Sequence, residues 1–354
     1  MAALPTPVRA ALDEGQVIPA HPLALDGSGR FDERHQRALT RYYAAAGAGG
    51  LAVAVHTTQF AIRDPTIGLL EPVLTIAAEE MNRADAARTV PLIRIGGVCG
   101  RTDQALREAD CLARLGYHAG LLSLAALADA DDAALIAHCE RVAQRLPLIG
   151  FYLQPSVGGR RLSYEFWRRF AAIPAVVAIK IAPFNRYQTL DVVRAVADAK
   201  RDDIALYTGN DDAIVADLVT PCRFGIGPGQ RTRRIVGGLL GHWAVWTQCA
   251  VALLADCHTA AVDGEVPAAL LRHGIEVTDA NAAFFDAAHG FAGCIAGIQE
   301  VLRRQGLVAS ARCLNPHETL SPGQAAEIDR VSRAYPHLAD DDFVAAHLEE
   351  WLRW

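Results

Sequence analysis

Residues 176–183 read Val176-Val177-Ala178-Ile179-Lys180-Ile181-Ala182-Pro183, an apolar run interrupted by one lysine. Near-continuous hydrophobicity of this length marks a parallel strand covered on both faces. Alternation puts Ile179 and Ile181 on one side, and Lys180 with Ala178 and Ala182 on the other. An ammonium group in such surroundings pays a desolvation penalty, so its pKa falls toward neutrality. A neutral amine can attack a ketone and form a Schiff base. The plain structural alternative is a lysine satisfied by a carboxylate, or one that snorkels to the rim. The chain holds two lysines, Lys180 and Lys200, against 34 basic residues in all. Lys200 closes a helical stretch, where a cation suits the C-terminal dipole. Lys180 has no such ordinary reason.

Outward from this strand the same pattern repeats. Apolar runs fall at 16–23, 49–57, 91–97, 118–124, 147–155, 176–183 and 204–210, with an eighth expected within Arg223–Gly238. Amphipathic helical stretches lie between them, such as Thr102–Gly116, where Thr102 is a candidate cap and Gly116 a stop. Eight strand–helix alternations in about 250 residues predict an α/β fold of the (β/α)8 barrel type. An open doubly wound sheet is the alternative, but no Gly-x-Gly-x-x-Gly follows the first strand. Beyond residue 261 the strand pattern stops. The expected division is a barrel over 1–261 and an all-helical C-terminal extension over 262–354, serving as packing appendage or assembly surface.

Composition excludes other classes. Hydrophobic residues make up 51% and charged residues 21% of 354, so the chain can bury a core and is not globally disordered. A net charge of −6 gives no basic footprint for nucleic acid. No apolar run reaches the ~18 residues of a membrane span, and the N-terminus lacks the apolar core of a secretory signal. The eight cysteines form no Cys-x-x-Cys pair. They read as reduced core residues of a cytoplasmic enzyme.

In such a barrel the reacting groups gather at the C-terminal ends of the strands. The polar residues expected there are His21, His56, Thr57, Thr58, Arg94, Tyr152, Gln154, Lys180, Thr208, Asn210 and Asp211. Tyr152 ends the strand beside that of Lys180, where a phenol can shuttle protons; an interior aromatic is the alternative. Thr57 and Thr58 offer hydroxyls and backbone N–H groups to a carboxylate. His21, His56 and Asp211 or Asp212 are also the ligand types of a metal-dependent hydrolase, although without the spacings that make such a reading strong. The Gly-Pro-Gly-Gln run at 227–230 and the Gly-Gly pairs lack a P-loop ending and read as strand-end turns.

Taken in order, these residues resemble the dihydrodipicolinate synthase / N-acetylneuraminate lyase family of Schiff-base aldolases. The corresponding segments are His56-Thr57-Thr58-Gln59-Phe60, Tyr152-Leu153-Gln154-Pro155, Ala178-Ile179-Lys180 and Thr208-Gly209-Asn210-Asp211. The similarity covers about residues 15–260, and the interval from Tyr152 to Lys180 looks like the family spacing. The resemblance implies catalytic roles for Lys180, Tyr152 and Thr58. It implies substrate binding by Thr57, His56, His21, Gln154, Gly209 and Asn210, with no metal and no cofactor. Two departures point away from dihydrodipicolinate synthase proper. Val157 stands where the synthases carry an arginine, and residues 122–127 lack their tyrosine; Arg160 and Arg161 remain candidates for a remote anionic group. The implied activity is a lyase, aldolase or dehydratase acting on pyruvate or a related 2-oxo acid, such as a sugar acid. A homodimer or homotetramer is the expected assembly. A metal-dependent hydrolase and a catalytically inactive family member are the alternatives.

Overall fold

The computed structural model describes residues 3–354. Its strands, in chain order, are β1 (Val17–Pro19), β2 (Gly50–Val53), β3 (Ile93–Val98), β4 (Ala119–Leu122), β5 (Leu148–Leu153), β6 (Val176–Ala182), β7 (Ala205–Thr208), β8 (Cys222–Phe224), β9 (Arg231–Arg233) and β10 (Gly237–Leu240). Strands β1 to β7 and β10 form one parallel sheet in the order β1-β10-β7-β6-β5-β4-β3-β2. The circle closes through a bridge between Ala20 and Ala52, where the His21 N–H donates to the Ala52 carbonyl at 2.8 Å. This is a (β/α)8 barrel followed by a C-terminal helical region.

The eighth barrel strand lies later than expected. Residues 222–233 instead form the antiparallel β8–β9 hairpin outside the barrel, turned by Gly225 and Gly227 at positive φ. Its Arg231 and Arg233 pair with Asp202. The barrel position falls to Gly237 and Gly238, inside a strand rather than in a turn. A Cβ on Gly238 would lie 2.6 Å from the Trp243 ring, so only glycine lets β10 pass there.

Alternation divides the strand residues into two layers. Ala20, Ile95, Leu121, Phe151, Ala178 and Tyr207 fill the barrel. Ile179, Ile181 and Tyr152 face outward into the larger core shared with the helices. A helix at Thr6–Glu14, not expected from the sequence, plugs the N-terminal end through Val8 and Leu12. The surrounding helices are held by ordinary devices. Asp32, Asp131, Ser163 and Asn185 each cap one by accepting from the backbone N–H three residues on. Thr102 is itself the first helical residue, and its hydroxyl bonds His138 instead. The short helix Tyr164–Ala171 buries Phe166, Trp167 and Phe170, at ~1.5–3 kcal/mol for each large apolar side chain.

The C-terminal helices Ala268–Phe284 and Cys294–Arg304 are joined by a loop that reaches over the barrel's C-terminal mouth. That loop and the start of the second helix bring Phe285, Phe291, Cys294 and Ile298 onto the cavity there. The extension thus also roofs the mouth, beyond the packing or assembly roles expected for it. No helix among the described residues is long and apolar enough to cross a membrane.

Candidate active site

Lys180 projects from β6 into the upper barrel, level with Phe151 on β5 and Tyr207 on β7. It is 8% exposed, and its Nζ lies 4.6 Å from the centre of the Phe151 ring. The ammonium has no hydrogen-bond or ion-pair partner among the described residues. Burial therefore drives its pKa below the ordinary lysine value, opposed by the negative charge of Asp211. Gly209 on the neighbouring strand end makes room for the side chain, since a Cβ there would lie 2.7 Å from Lys180 Cε.

Asp211 faces the same cavity. Its Oδ1 accepts the His242 backbone N–H at 2.9 Å. Burial raises its pKa well above the usual carboxylate range, against the pull of that N–H and of Lys180. The amine and the carboxyl are thus two titrating groups in one apolar chamber, each pushed toward its neutral form. The chamber is small, with a volume of about 60 Å³. Its remaining polar wall consists of His56, Thr57 and Gln154. Burial, and then the charge of Lys180, push the His56 imidazole down to about 4, so it is neutral near pH 7. Burial drives the Cys294 thiol pKa far up, which favours its protonated form.

The expected site residues separate into two groups. Lys180, His56, Thr57, Gln154 and Gly209 meet at the cavity. Tyr152, Thr58, His21 and Asn210 do not line it. The Tyr152 ring lies outside the barrel against Trp167, with centres 5.4 Å apart. Its hydroxyl donates to the Leu162 carbonyl and accepts the Leu162 N–H, each at 3.2 Å. Alternation on β5 explains this: Phe151 and Leu153 take the inward positions, so Tyr152 must face out. The Thr58 hydroxyl donates to the His21 carbonyl at 2.6 Å and accepts the Val55 N–H, which fixes the turn carrying His56. The His21 ring is locked among the Thr40 hydroxyl, the Pro22 carbonyl and the Gln36 amide. Asn210 bonds Thr189, Asp217 and the Phe184 N–H. The Thr57 hydroxyl also has a fixed partner, donating to the Ala20 carbonyl at 2.7 Å.

The arrangement gives no support to a metal-centred reading. Both His21 ring nitrogens are engaged, and no group of three or more potential ligands gathers among the described residues. Arg160 turns its guanidinium to the carbonyls of Leu127 and Ala130, bracing the loop after β4 rather than facing the cavity.

The sequence profile of the dihydrodipicolinate synthetase family matches residues 13–220, more than half of the chain. The chain belongs to this family. It is an enzyme of the lyase type, as the family's class I aldolases are. Among solved structures the chain superposes on a monomeric dihydrodipicolinate synthase variant with a TM-score of 0.72 at 16% identity, covering 92% of this chain and 98% of that one. For N-acetylneuraminate lyase from Fusobacterium nucleatum the values are 0.70, 15%, 92% and 99%. For YagE, a prophage protein of the dihydrodipicolinic acid synthase family from E. coli K12 in complex with pyruvate, they are 0.69, 17%, 91% and 97%. Identities this low establish the fold alone. No curated protein sequence matches the chain.

Within this dihydrodipicolinate synthetase family member, several cavity residues escaped sequence reasoning. Asp211 is among the polar residues expected at the mouth, but nothing in the sequence shows that it shares one buried chamber with Lys180. Phe151 was legible by alternation from Ile149. Phe285 and Phe291 lie in a loop without periodicity, and nothing in the sequence marks them.

Proposed function

We propose that the protein is a Schiff-base-forming lyase, aldolase or dehydratase acting on pyruvate or a related 2-oxo acid, and that it is not dihydrodipicolinate synthase proper. The observation that carries this reading is Lys180, buried without a partner at the C-terminal mouth of the barrel and shifted toward the neutral amine.

Lys180 Nζ attacks C2 of the 2-oxo acid, and water leaves to give the imine. The substrate carboxylate lies toward the turn His56–Thr57. The protonated imine then takes up the electron pair of the C3–C4 bond as that bond breaks; in a dehydration it takes up the pair of a C3–H bond instead, and the enamine so formed expels the C4 hydroxyl, protonated as it leaves, as water. Proton transfer falls to Asp211, which faces the amine with a pKa raised toward the working range of a general acid–base. Tyr152 and Thr58 act on this scheme by positioning: one braces β5, the other holds the turn.

Against dihydrodipicolinate synthesis stands the charge of the cavity. Lys180 is the one basic residue lining it apart from the neutral His56, and Val157 lines the wall where a carboxylate-binding arginine would be needed. All eight cysteines are free, which suits the reducing cytoplasm. On this reading residues 1–261 carry the reacting groups, residues 262–354 close the chamber, and the protein assembles as a homodimer or homotetramer.

The test is intact-protein mass spectrometry after incubation with pyruvate and borohydride. A reduced pyruvyl adduct on the wild type, absent from Lys180→Ala, is expected. No adduct with pyruvate or with longer 2-oxo acids would overturn the reading.

A further inference from the structure

Beside the chamber at Lys180 lies a second hollow of about 380 Å³. The two share a wall made of Gln154, Phe184, Asp211, Phe285 and Phe291. Phe184 and Phe291 meet there edge to face, with ring centres 5.7 Å apart. Both have positive φ, 50° and 71°, in the left-handed region that bulky residues avoid. Such backbone persists only where its surroundings enforce it. Asn210 Oδ1 holds the Phe184 N–H at 3.0 Å, and Asp217 and Thr189 hold the Asn210 amide. The Asp286 carbonyl holds the Phe291 N–H, while the Asp286 carboxylate takes the Gly293 N–H and the Ser321 hydroxyl. Two separate networks thus press two phenyl rings together above the reactive amine.

The polar groups around this wall are few. The Thr278 hydroxyl donates to the Gly274 carbonyl, and the Asn281 amide donates to the Asp211 carbonyl. The Gln154 amide, the Asn281 Oδ1 and the Asp212 carboxylate are left without a protein partner among the described residues. A polyhydroxylated chain would set hydroxyls against the Phe184, Phe285 and Phe291 rings, each unpaired one weakening binding roughly ten- to hundredfold. A phosphorylated or carboxylated chain would meet Asp211 and Asp212 and find no free cation. A ring or branched hydrocarbon meets Phe184, Phe285 and Phe291 instead, in the edge-to-face or offset contacts that aromatic groups favour.

We propose that the second reactant is an uncharged aldehyde carrying an aryl or branched apolar group, seated between Phe184, Phe285 and Phe291. This rests on the Schiff-base chemistry of Lys180. In the cleavage direction the substrate is a 4-hydroxy-2-oxo acid bearing that group at C4. Lys180 forms the imine at C2 with loss of water. Asp211 takes the proton of the C4 hydroxyl as the C3–C4 bond breaks. The electron pair of that bond passes into the imine to give the enamine, and the aldehyde leaves. The enamine carbon takes the proton back from Asp211, and water hydrolyses the imine to release pyruvate.

The experiment offers the full-length protein pyruvate with benzaldehyde, glyceraldehyde or glyoxylate, and measures condensation product by liquid chromatography and mass spectrometry. Benzaldehyde is expected to exceed the other two in kcat/KM by at least ~100-fold. Phe291→Ala is expected to raise its KM about tenfold, with Phe291→Leu closer to wild type. Equal or faster turnover of glyceraldehyde or glyoxylate, or an unchanged KM in Phe291→Ala, overturns the proposal. Borohydride trapping with pyruvate alone runs beside each assay. An adduct without benzaldehyde turnover rejects the aryl substrate and leaves the Schiff-base lyase standing; no adduct rejects both.

Discussion

Phe151 and Lys180 are register partners on adjacent strands, and the lysine Nζ sits 4.6 Å from the centre of the phenyl ring. The ring face attracts the ammonium form and so works against the desolvation that favours the neutral amine. Phe151→Leu removes the attraction and keeps an apolar wall. The midpoint of pyruvate trapping against pH should then move down by about half to one and a half pH units. A pH series of borohydride trapping measures it; an unmoved or raised midpoint contradicts the contact.

Asp211 raises the pKa of Lys180 by its charge, while burial raises its own. In Asp211→Asn the charge is gone, so the lysine midpoint should fall further and trapping with pyruvate should persist at neutral pH. Cleavage, which needs the carboxylate as base, should drop by about 10²–10⁴-fold. Equal losses of trapping and cleavage would place Asp211 in holding the chamber together rather than in proton transfer.

Wild-type trapping should rise with pH through a midpoint below the ordinary lysine value of 10.5, because only the unprotonated amine attacks. Turnover should also fall on the acid side as Asp211 protonates, at a pH above the ordinary carboxylate range. Initial rates across pH 5–10, a span of roughly the ordinary histidine-to-lysine range, test both limbs.

Tyr152→Phe separates the outward placement of the tyrosine from a proton-relay role. The substitution strips two hydrogen bonds to Leu162 and should cost about 1–3 kcal/mol, read by denaturant unfolding. Trapping and turnover should stay within about twofold, ~0.4 kcal/mol in the barrier, since Tyr152 does not line the chamber. A loss of activity by two or more orders of magnitude, with the fold intact, would put the hydroxyl back in the mechanism.

Gly209→Ala places a methyl group against Lys180 Cε and the Ala182 Cβ, each at 2.7 Å. The lysine has to leave its position. Trapping should slow by at least ~10-fold, while overpacking costs about 1–3 kcal/mol of stability. Trapping at the wild-type rate would show that the amine tolerates displacement.

The barrel was readable because its strands are nearly continuous apolar runs, and Lys180 because alternation leaves one inward position for a charge. Tyr152 is expected at the mouth from a motif-like Tyr-x-x-Pro, whereas the period-two pattern of its own strand turns its side chain outward. Ile149, Phe151 and Leu153 already claimed the inward face. The eighth strand was displaced because Gly237 and Gly238 look like a turn, and nothing in the sequence shows which ring or strand demands the missing Cβ. His21 and Asn210 are polar residues at strand ends, as sites require, but their partners Thr40, Gln36, Thr189 and Asp217 come from helices whose contacts no local pattern reveals. The roof over the chamber depends on left-handed backbone at Phe184, Asp286 and Phe291, where the residue type argues against the conformation.

The roof also sets an order in time. Phe285, Phe291, Cys294 and Ile298 leave the ribosome more than a hundred residues after Lys180. Until they arrive, the chamber around the lysine lacks its roof and stays open to water on that side. Its desolvation, and with it its nucleophilicity, is a property of the finished chain.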